Sequence, residues 1–176
     1  DVVVEQMNTS IEWQMPYLIN NGKECIQWSE RTGWAHLYRY SVDGELVNQI
    51  TKGEWHVSQV LGVDDAKRVI YFTATGYNKE ENPYYLHLFR VNYDGTGLKQ
   101  ITKGDYFHQT EVDDDARFVL DNYSRINTVP MAVLLDNNGN KVMDVQESDF
   151  SQLFANGYKF PELFKVKAAD GVTDLY

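Results

Sequence analysis

The chain has 176 residues, with 16 basic and 26 acidic side chains and a net charge of −10. That length can bury a full core as one domain, and the acidic balance argues against a nucleic-acid surface, which would be basic. No stretch approaches the roughly 18 apolar residues of a membrane span, the single cysteine, Cys25, excludes an internal disulfide, and the opening DVVVEQMNTS lacks the basic and apolar regions of a signal peptide.

In chain order, NNGKECIQWSER, from Asn20, reads as a turn followed by a strand. After a short loop at 30–33, Trp34, His36, Tyr38 and Tyr40 alternate with Ala35, Leu37 and Arg39, and a period of two is strand geometry. Both faces carry bulky groups, as a sheet lying between two similar sheets requires. Val42-Asp43-Gly44-Glu45 then supplies a reversal in which glycine takes positive φ. Gln49-Ile50-Thr51 returns, Lys52-Gly53 breaks the strand, and residues 55–61 form a joining strand.

The order then repeats. DDAKRVIYFTAT runs from Asp64, a longer loop follows at 74–84, and Tyr85, His87, Phe89 and Val91 oppose Leu86, Leu88 and Arg90. Tyr93-Asp94-Gly95-Thr96 turns the chain, Gln100-Ile101-Thr102 returns it, and Lys103-Gly104 ends it. A third version follows: a strand at 107–112, DDDARFVLDNYSR from Asp113, a strand at 129–135, the turn Asp136-Asn137-Asn138-Gly139 and a strand at 141–145. Phe150, Leu153 and Phe154 before Gly157 predict one short helix after Ser148.

The two central copies, HLYRYSVDGELVNQITKGEW from His36 and HLFRVNYDGTGLKQITKGDY from His87, are identical at 10 of 20 positions. The turns before them align at a spacing of 44 rather than 51, Gly22 matching Ala66, with the difference absorbed in the following loop. Four short antiparallel strands per period of about 50 is the pattern of a β-propeller blade. The fold class is therefore all-β: a partial β-propeller of about three four-stranded antiparallel blades over 1–147, then a linker with a short helix over 148–162. About four to eight blades close a ring, so the expectation is a piece of a larger chain, or copies that assemble.

The chemistry-bearing residues mostly fall where the repeat puts them. His36 and His87 hold equivalent strand positions, and His56 and His108 follow equivalent exit loops after Trp55 and Phe107, which points to packing. No Cys or His spacing matches a metal site. Asp64-Asp65, Asp113-Asp114-Asp115 and the equivalent Asn20-Asn21 read as turns using local side-chain bonds to backbone, with calcium the weaker alternative, and Asp136–Asn140 lacks the spacing of a calcium loop. Glu80-Glu81 reads as a solvated loop inserted in one blade, the alternative being a cavity rim or a subunit contact. Asn8-Thr9-Ser10 and Asn122-Tyr123-Ser124 match a glycosylation acceptor pattern that is frequent by chance. Trp13, Trp28, Trp34 and Trp55 are expected to pack blade on blade.

The order of these motifs carries a resemblance. SERTGWAHLYRY, the paired QITKG loops, YLHLFRVNYDGTGLKQITKGD and the tail PELFKVKAADGVTDLY over 161–176 resemble the N-terminal propeller of dipeptidyl peptidase IV-type serine peptidases of the prolyl oligopeptidase family, up to the point where the chain enters its peptidase domain. The resemblance implies that 163–176 begins a truncated α/β-hydrolase domain. It implies a parent protein, periplasmic or extracellular, that removes N-terminal dipeptides with proline next to the cut. Peptide substrate would be met through the missing peptidase domain. That chemistry needs a serine in Gly-x-Ser-x-Gly followed by Asp and His, and no Gly-x-Ser-x-Gly occurs here. Expected, then, are no catalytic, metal or cofactor-binding residue, no cofactor, and no substrate-contacting residue that can be named. Tyr176 is not the family's oxyanion-stabilising tyrosine, which lies further on. GYNKEENPYY does not match the family's amine-binding acidic motif. Two other readings are a non-enzymatic propeller scaffold and, ranked lower, a carbohydrate-active propeller with converging carboxylates. An open arc of blades leaves an apolar face uncovered, so the isolated chain is expected to form a homo-oligomer or a domain swap.

Overall fold

The computed structural model describes residues 14–176. Trp13 and the Asn8 acceptor pattern lie outside them. Three four-stranded sheets follow one another along the chain. The first holds β1 (Tyr17–Ile19), β2 (Glu24–Ser29), β3 (His36–Ser41) and β4 (Leu46–Gln49). The second holds β5 (His56–Asp64), β6 (Val69–Thr75), β7 (His87–Asn92) and β8 (Lys99–Gln100). The third holds β9 (Phe107–Val112), β10 (Phe118–Ser124), β11 (Met131–Asp136) and β12 (Lys141–Glu147). Each is an antiparallel meander in chain order, as the partial propeller predicts. A five-residue helix, α1 (Ser151–Ala155), and a small hairpin of β13 (Val166–Lys167) and β14 (Asp174–Leu175) complete the chain.

The repeated phrase is a repeated set of bonds. In the first sheet the Thr51 hydroxyl accepts the Leu37 N–H at 3.0 Å and lies 3.1 Å from His36 Nδ1, while Gln49 Nε2 donates to the Thr51 carbonyl. In the second, Thr102 accepts the Leu88 N–H at 3.1 Å and lies 3.1 Å from His87 Nδ1, and Gln100 Nε2 donates to the Thr102 carbonyl. Ile50 and Ile101, the residues between, are buried. The His, Gln-Ile-Thr and Leu identities are thus one internal bolt that pins the exit of a sheet to its third strand. It satisfies backbone groups that a short last strand leaves unpaired.

The sheets stack face to face. In the first seam Ile26, Trp28 and Leu37 meet Ile70, Phe72, Phe89 and Val91. Trp55, on the linker between the two sheets, stacks 6.2 Å from Phe72 and 6.1 Å from Phe89, and Trp28 Nε1 donates to the Val57 carbonyl at 2.7 Å. Each buried aromatic or aliphatic side chain contributes about 2 kcal/mol. In the second seam Tyr71 and Leu88 meet Ala116, Val119, Val133 and Leu135. The far face of the first sheet carries a separate buried group, Cys25, Tyr38 and Tyr40, with the Arg31 guanidinium 4.3 Å above the Tyr38 ring. The far face of the third sheet is open: Leu120, Ala132 and Leu134 are half-buried, and Phe107, Phe118 and Met143 are exposed beside them.

The Asp-Gly and Asn-Gly turns serve the stacking as well as the reversal. Gly95 has φ +87°, and a Cβ there would sit 2.8 Å from the Ile50 carbonyl oxygen of the preceding sheet. Gly139 has φ +83°, with the Ile101 oxygen 2.5 Å away. Each turn therefore closes against the exit of the sheet before it. The aspartates make the local bonds expected of them: Asp113 Oδ1 accepts the Arg117 and Phe118 N–H groups, and Asp64 Oδ1 accepts that of Lys67.

Three sequence expectations need correction. Equivalent bonds from Val42, Tyr93 and Asn137 N–H reach the carbonyls of Lys23, Arg68 and Arg117, so the first two turns are spaced by 45 residues, not 44. The Val57 and His108 N–H groups make the same link, to Ala35 and Leu86. His108 is therefore the counterpart of Val57 rather than of His56. Trp34 is 42% exposed at a loop surface near Lys79 and takes no part in either seam, because it precedes the strand that enters the stack.

Candidate functional site

Where the second repeat departs from the first, polar chemistry appears. The bolt histidine of the first sheet sends Nε2 to the Gly53 carbonyl, 2.9 Å away. The corresponding atom of His87 lies 2.9 Å from Glu81 Oε2. Glu81 belongs to the insertion at 76–85, and its other oxygen accepts from Asn78 Nδ2 at 2.7 Å. Asn78 and Asn82 side chains also cap the Glu80 and Tyr84 N–H groups. Asn is suited to such local turns, so this loop is built rather than loose. Glu80 is exposed, as a solvated loop requires, but Glu81 is not: the histidine anchors it half-buried, closer to the cavity-rim alternative.

A second departure lies just across the seam. His108 and Asp121 stand where the preceding sheet has Val57 and Phe72. Both are buried, and His108 Nδ1 donates to the Asp121 carboxylate at 2.9 Å. The His87 and His108 ring centroids are 4.8 Å apart. Glu81, His87, His108 and Asp121 thus form a line from the inserted loop, through the second sheet, into the third.

The tautomer of His87 follows from its neighbours. Gln100 Nε2 donates to the Thr102 carbonyl and to His87 Nδ1, 3.1 and 3.0 Å away. Nδ1 therefore accepts, and Nε2–H donates to Glu81. Thr102, His87 and Glu81 have the connectivity of a hydroxyl–imidazole–carboxylate triad. The hydroxyl is fully buried and already holds the Leu88 N–H, and the first sheet repeats it without a carboxylate. The arrangement is a bolt, not a nucleophile. Among the described residues no group of three or more His, Cys, Asp or Glu could hold a metal ion.

Burial pushes the imidazoles of both His36 and His87 below the ordinary histidine value, with neighbouring His56 and His108 respectively acting the same way. The sign is fixed by linkage: the unfolded chain takes up protons near pH 6.5 that the folded chain refuses. This part of the stability is complete above about pH 6.5 and is lost as the pH falls toward the depressed folded values. Urea midpoints should therefore drop between pH 7.5 and pH 5, and the double variant His36→Gln/His87→Gln should lose part of that dependence. An unchanged pH dependence would contradict the assignment.

Two cavities flank Glu81. One of about 240 Å³ is lined among others by Glu80, Glu81, Asp105, Phe164, Lys165 and Tyr176. The other, of about 220 Å³, is lined among others by Trp34, His56, Lys79, Glu81 and Tyr176. The tail thus returns onto the inserted loop, where Tyr176 meets the Tyr84 ring edge-on at 6.4 Å. Carboxylates against aromatic walls suit a cation or a hydrogen-bond donor, and the chain's own lysines take part of that role: Lys165 Nζ lies 4.3 Å from the Tyr176 ring and Lys79 Nζ 5.5 Å from the Trp34 ring. No motif in the sequence points to this return, because it joins residues nearly a hundred positions apart.

Similarity to known proteins agrees with this architecture. The sequence model of the family described as Dipeptidyl peptidase IV (DPP IV) N-terminal region matches residues 4–130. Dipeptidyl peptidase 4 of Trichophyton rubrum is 45% identical over 82 residues, 46% of this chain and 10% of that protein. Among solved structures, a chain of Bacteroides ovatus described as a candidate dipeptidyl aminopeptidase IV superposes with a TM-score of 0.72 at 22% identity, over 90% of this chain and 25% of its own. Porphyromonas gingivalis dipeptidyl peptidase 4 gives 0.71 at 19%, over 88% and 22%. The chain spans about a tenth of the curated relative and a quarter or less of the two structures. With three stacked meanders, the bolts of the first two and a family match over residues 4–130, the chain belongs to the dipeptidyl peptidase IV N-terminal region family.

Proposed function

We propose that this chain is the propeller segment of a serine-type dipeptidyl peptidase, periplasmic or extracellular, that releases N-terminal dipeptides with proline preferred beside the cut. Its own part is to shape a cavity and gate the access of peptides. Residues 1–147 serve as blades, 148–162 as a linker with the short helix α1, and 163–176 as the first residues of an α/β-hydrolase domain. The observation that carries this reading is the return of the tail onto the second blade, where Glu80, Glu81 and Tyr85 share a cavity with Phe164 and Tyr176. A hydrolase domain continuing from Tyr176 would start beside a cavity rim that the blades supply. The fold supports the reading because blades stacked by their faces leave their loops free to line a common chamber.

The coding sequence beyond Tyr176 is the test. It should contain Gly-x-Ser-x-Gly, then Asp and His, within one domain's length. If it does not, the peptidase reading fails and a scaffold propeller takes its place. The 176-residue chain alone should release no chromophore from a Gly-Pro chromogenic substrate, and turnover at any rate that tracks the protein on purification would contradict the division of labour.

The open face of the third sheet has a further consequence. Phe107, Phe118 and Met143 are exposed around half-buried Leu120, Ala132 and Leu134, and apolar faces of this kind associate. The isolated chain is expected to elute in gel filtration with light scattering as a dimer or larger, and Leu134→Lys should shift it toward the monomer. A monodisperse monomer at micromolar concentration would rule this out.

A further inference from the structure

The two seams between sheets use the same backbone geometry with different side chains. Where the first seam has Trp28, Val57 and Phe72, the second has Thr73, His108 and Asp121 at the equivalent positions, all buried. Two of the three replacements exchange a large ring for a small polar side chain. One exchange adds only an imidazole in place of a valine. Rings enter the second seam elsewhere, Tyr71 for Ile26 and Tyr123 for Ala74, with Tyr123 stacked 5.5 Å from His108, so the seam differs from the first in carrying polar side chains among its apolar ones.

Three polar atoms in that seam have no protein partner: His108 Nε2, Thr110 Oγ1 and Thr73 Oγ1. Their placement is common. Thr110 lies directly opposite Asp121 across the β9–β10 pair. His108 is two residues before Thr110, on the same face of β9, and donates from Nδ1 to that same Asp121. Thr73 is on the facing side of β6, two residues from Tyr71, which packs into the second seam. A buried polar atom left unpaired costs about 1–3 kcal/mol, and three such atoms on the facing strands of one seam call for a shared polar partner.

We propose that the seam between the second and third sheets is a binding site for ordered water, held by His108 Nε2, Thr110 Oγ1 and Thr73 Oγ1. Asp121 is the positioning residue. By accepting the Nδ1 proton it leaves the Nε2 lone pair buried within the seam, where a water donates to it. The threonine hydroxyls complete the two to four partners that a buried water needs. The first seam is closed by apolar side chains alone, while the second is joined in part by water.

The test uses the protein itself. A structure at atomic resolution should show water within hydrogen-bonding distance of His108 Nε2. NMR should find the His108 ring in the Nδ1–H tautomer, with cross-relaxation from a long-lived water to its ring protons. Thr73→Val/Thr110→Val should abolish that water signal and leave the resonances of the His36–Thr51 bolt in place. A dry seam overturns the proposal, and so does His108 protonated on Nε2 and bonded to a protein group. Should the double variant fail to fold, the tautomer and water measurements on the unaltered chain decide the matter by themselves.

Discussion

Replacing Gly139 by alanine is expected to destabilise the fold by about 4 kcal/mol. The residue sits at φ +83°, where an L side chain is strained by about 1–3 kcal/mol. The added methyl would also meet the Ile101 carbonyl oxygen 2.5 Å away, and backbone has no rotamer by which to retreat. Overpacking of this sort adds about 1–3 kcal/mol. Gly33 provides the control: its φ is +88°, but a Cβ there meets nothing within 4 Å. Gly33→Ala should therefore cost only the strain, about 1–2 kcal/mol. Chemical denaturation of the two variants separates the terms. If both fall by the same amount, the turn does not close on the neighbouring sheet as described.

Asp121→Ala is the second large effect, a loss of about 3 kcal/mol. It leaves the Nδ1–H of His108 buried without an acceptor, and removing one member of a buried polar or charged pair costs more than the pair contributes. The matched replacement is His108→Val with Asp121→Phe, which installs the residues of the first seam. It should be close to neutral, within about 1 kcal/mol, because both polar groups leave together and the phenyl ring takes up the volume the imidazole vacates. The double-mutant cycle built from these variants should show strong coupling. Additive losses would mean that the two side chains do not depend on one another, and the 2.9 Å bond would have no energetic meaning.

The contrast between these two experiments also marks what a sequence reveals. Gly95 and Gly139 stand in Asp-Gly and Asn-Gly turns that any reader of the chain would place at a reversal, because positive φ is a local demand. Their contact with Ile50 and Ile101 is not local. The repeated His, Gln-Ile-Thr and Lys-Gly were visible as a period, but the period alone does not say that one threonine hydroxyl holds a backbone N–H and an imidazole together. Glu81 shows the limit most clearly. In sequence it is one of a pair of loop carboxylates, and charge in loops is ordinarily solvated. Its half-buried state depends on His87, six residues on and reached only because the strand turns the imidazole back toward the loop. His108 shows a related limit: counting from the preceding aromatic pairs it with His56, whereas the backbone bond to Leu86 pairs it with Val57.

By itself the sequence determined the sheets: the period of two, the Asp-Gly reversals and the recurrence near fifty residues demand short antiparallel strands in blades, and their order carries the family. Those signals are local or periodic, so they survive in one dimension. Only the tertiary structure decided which seam buries polar side chains among its apolar ones, which histidine meets a carboxylate, and that the tail folds back beside the inserted loop. Each of these depends on side chains far apart in the chain sharing one small volume, and packing density and hydrogen-bond geometry within that volume have no counterpart in a linear pattern.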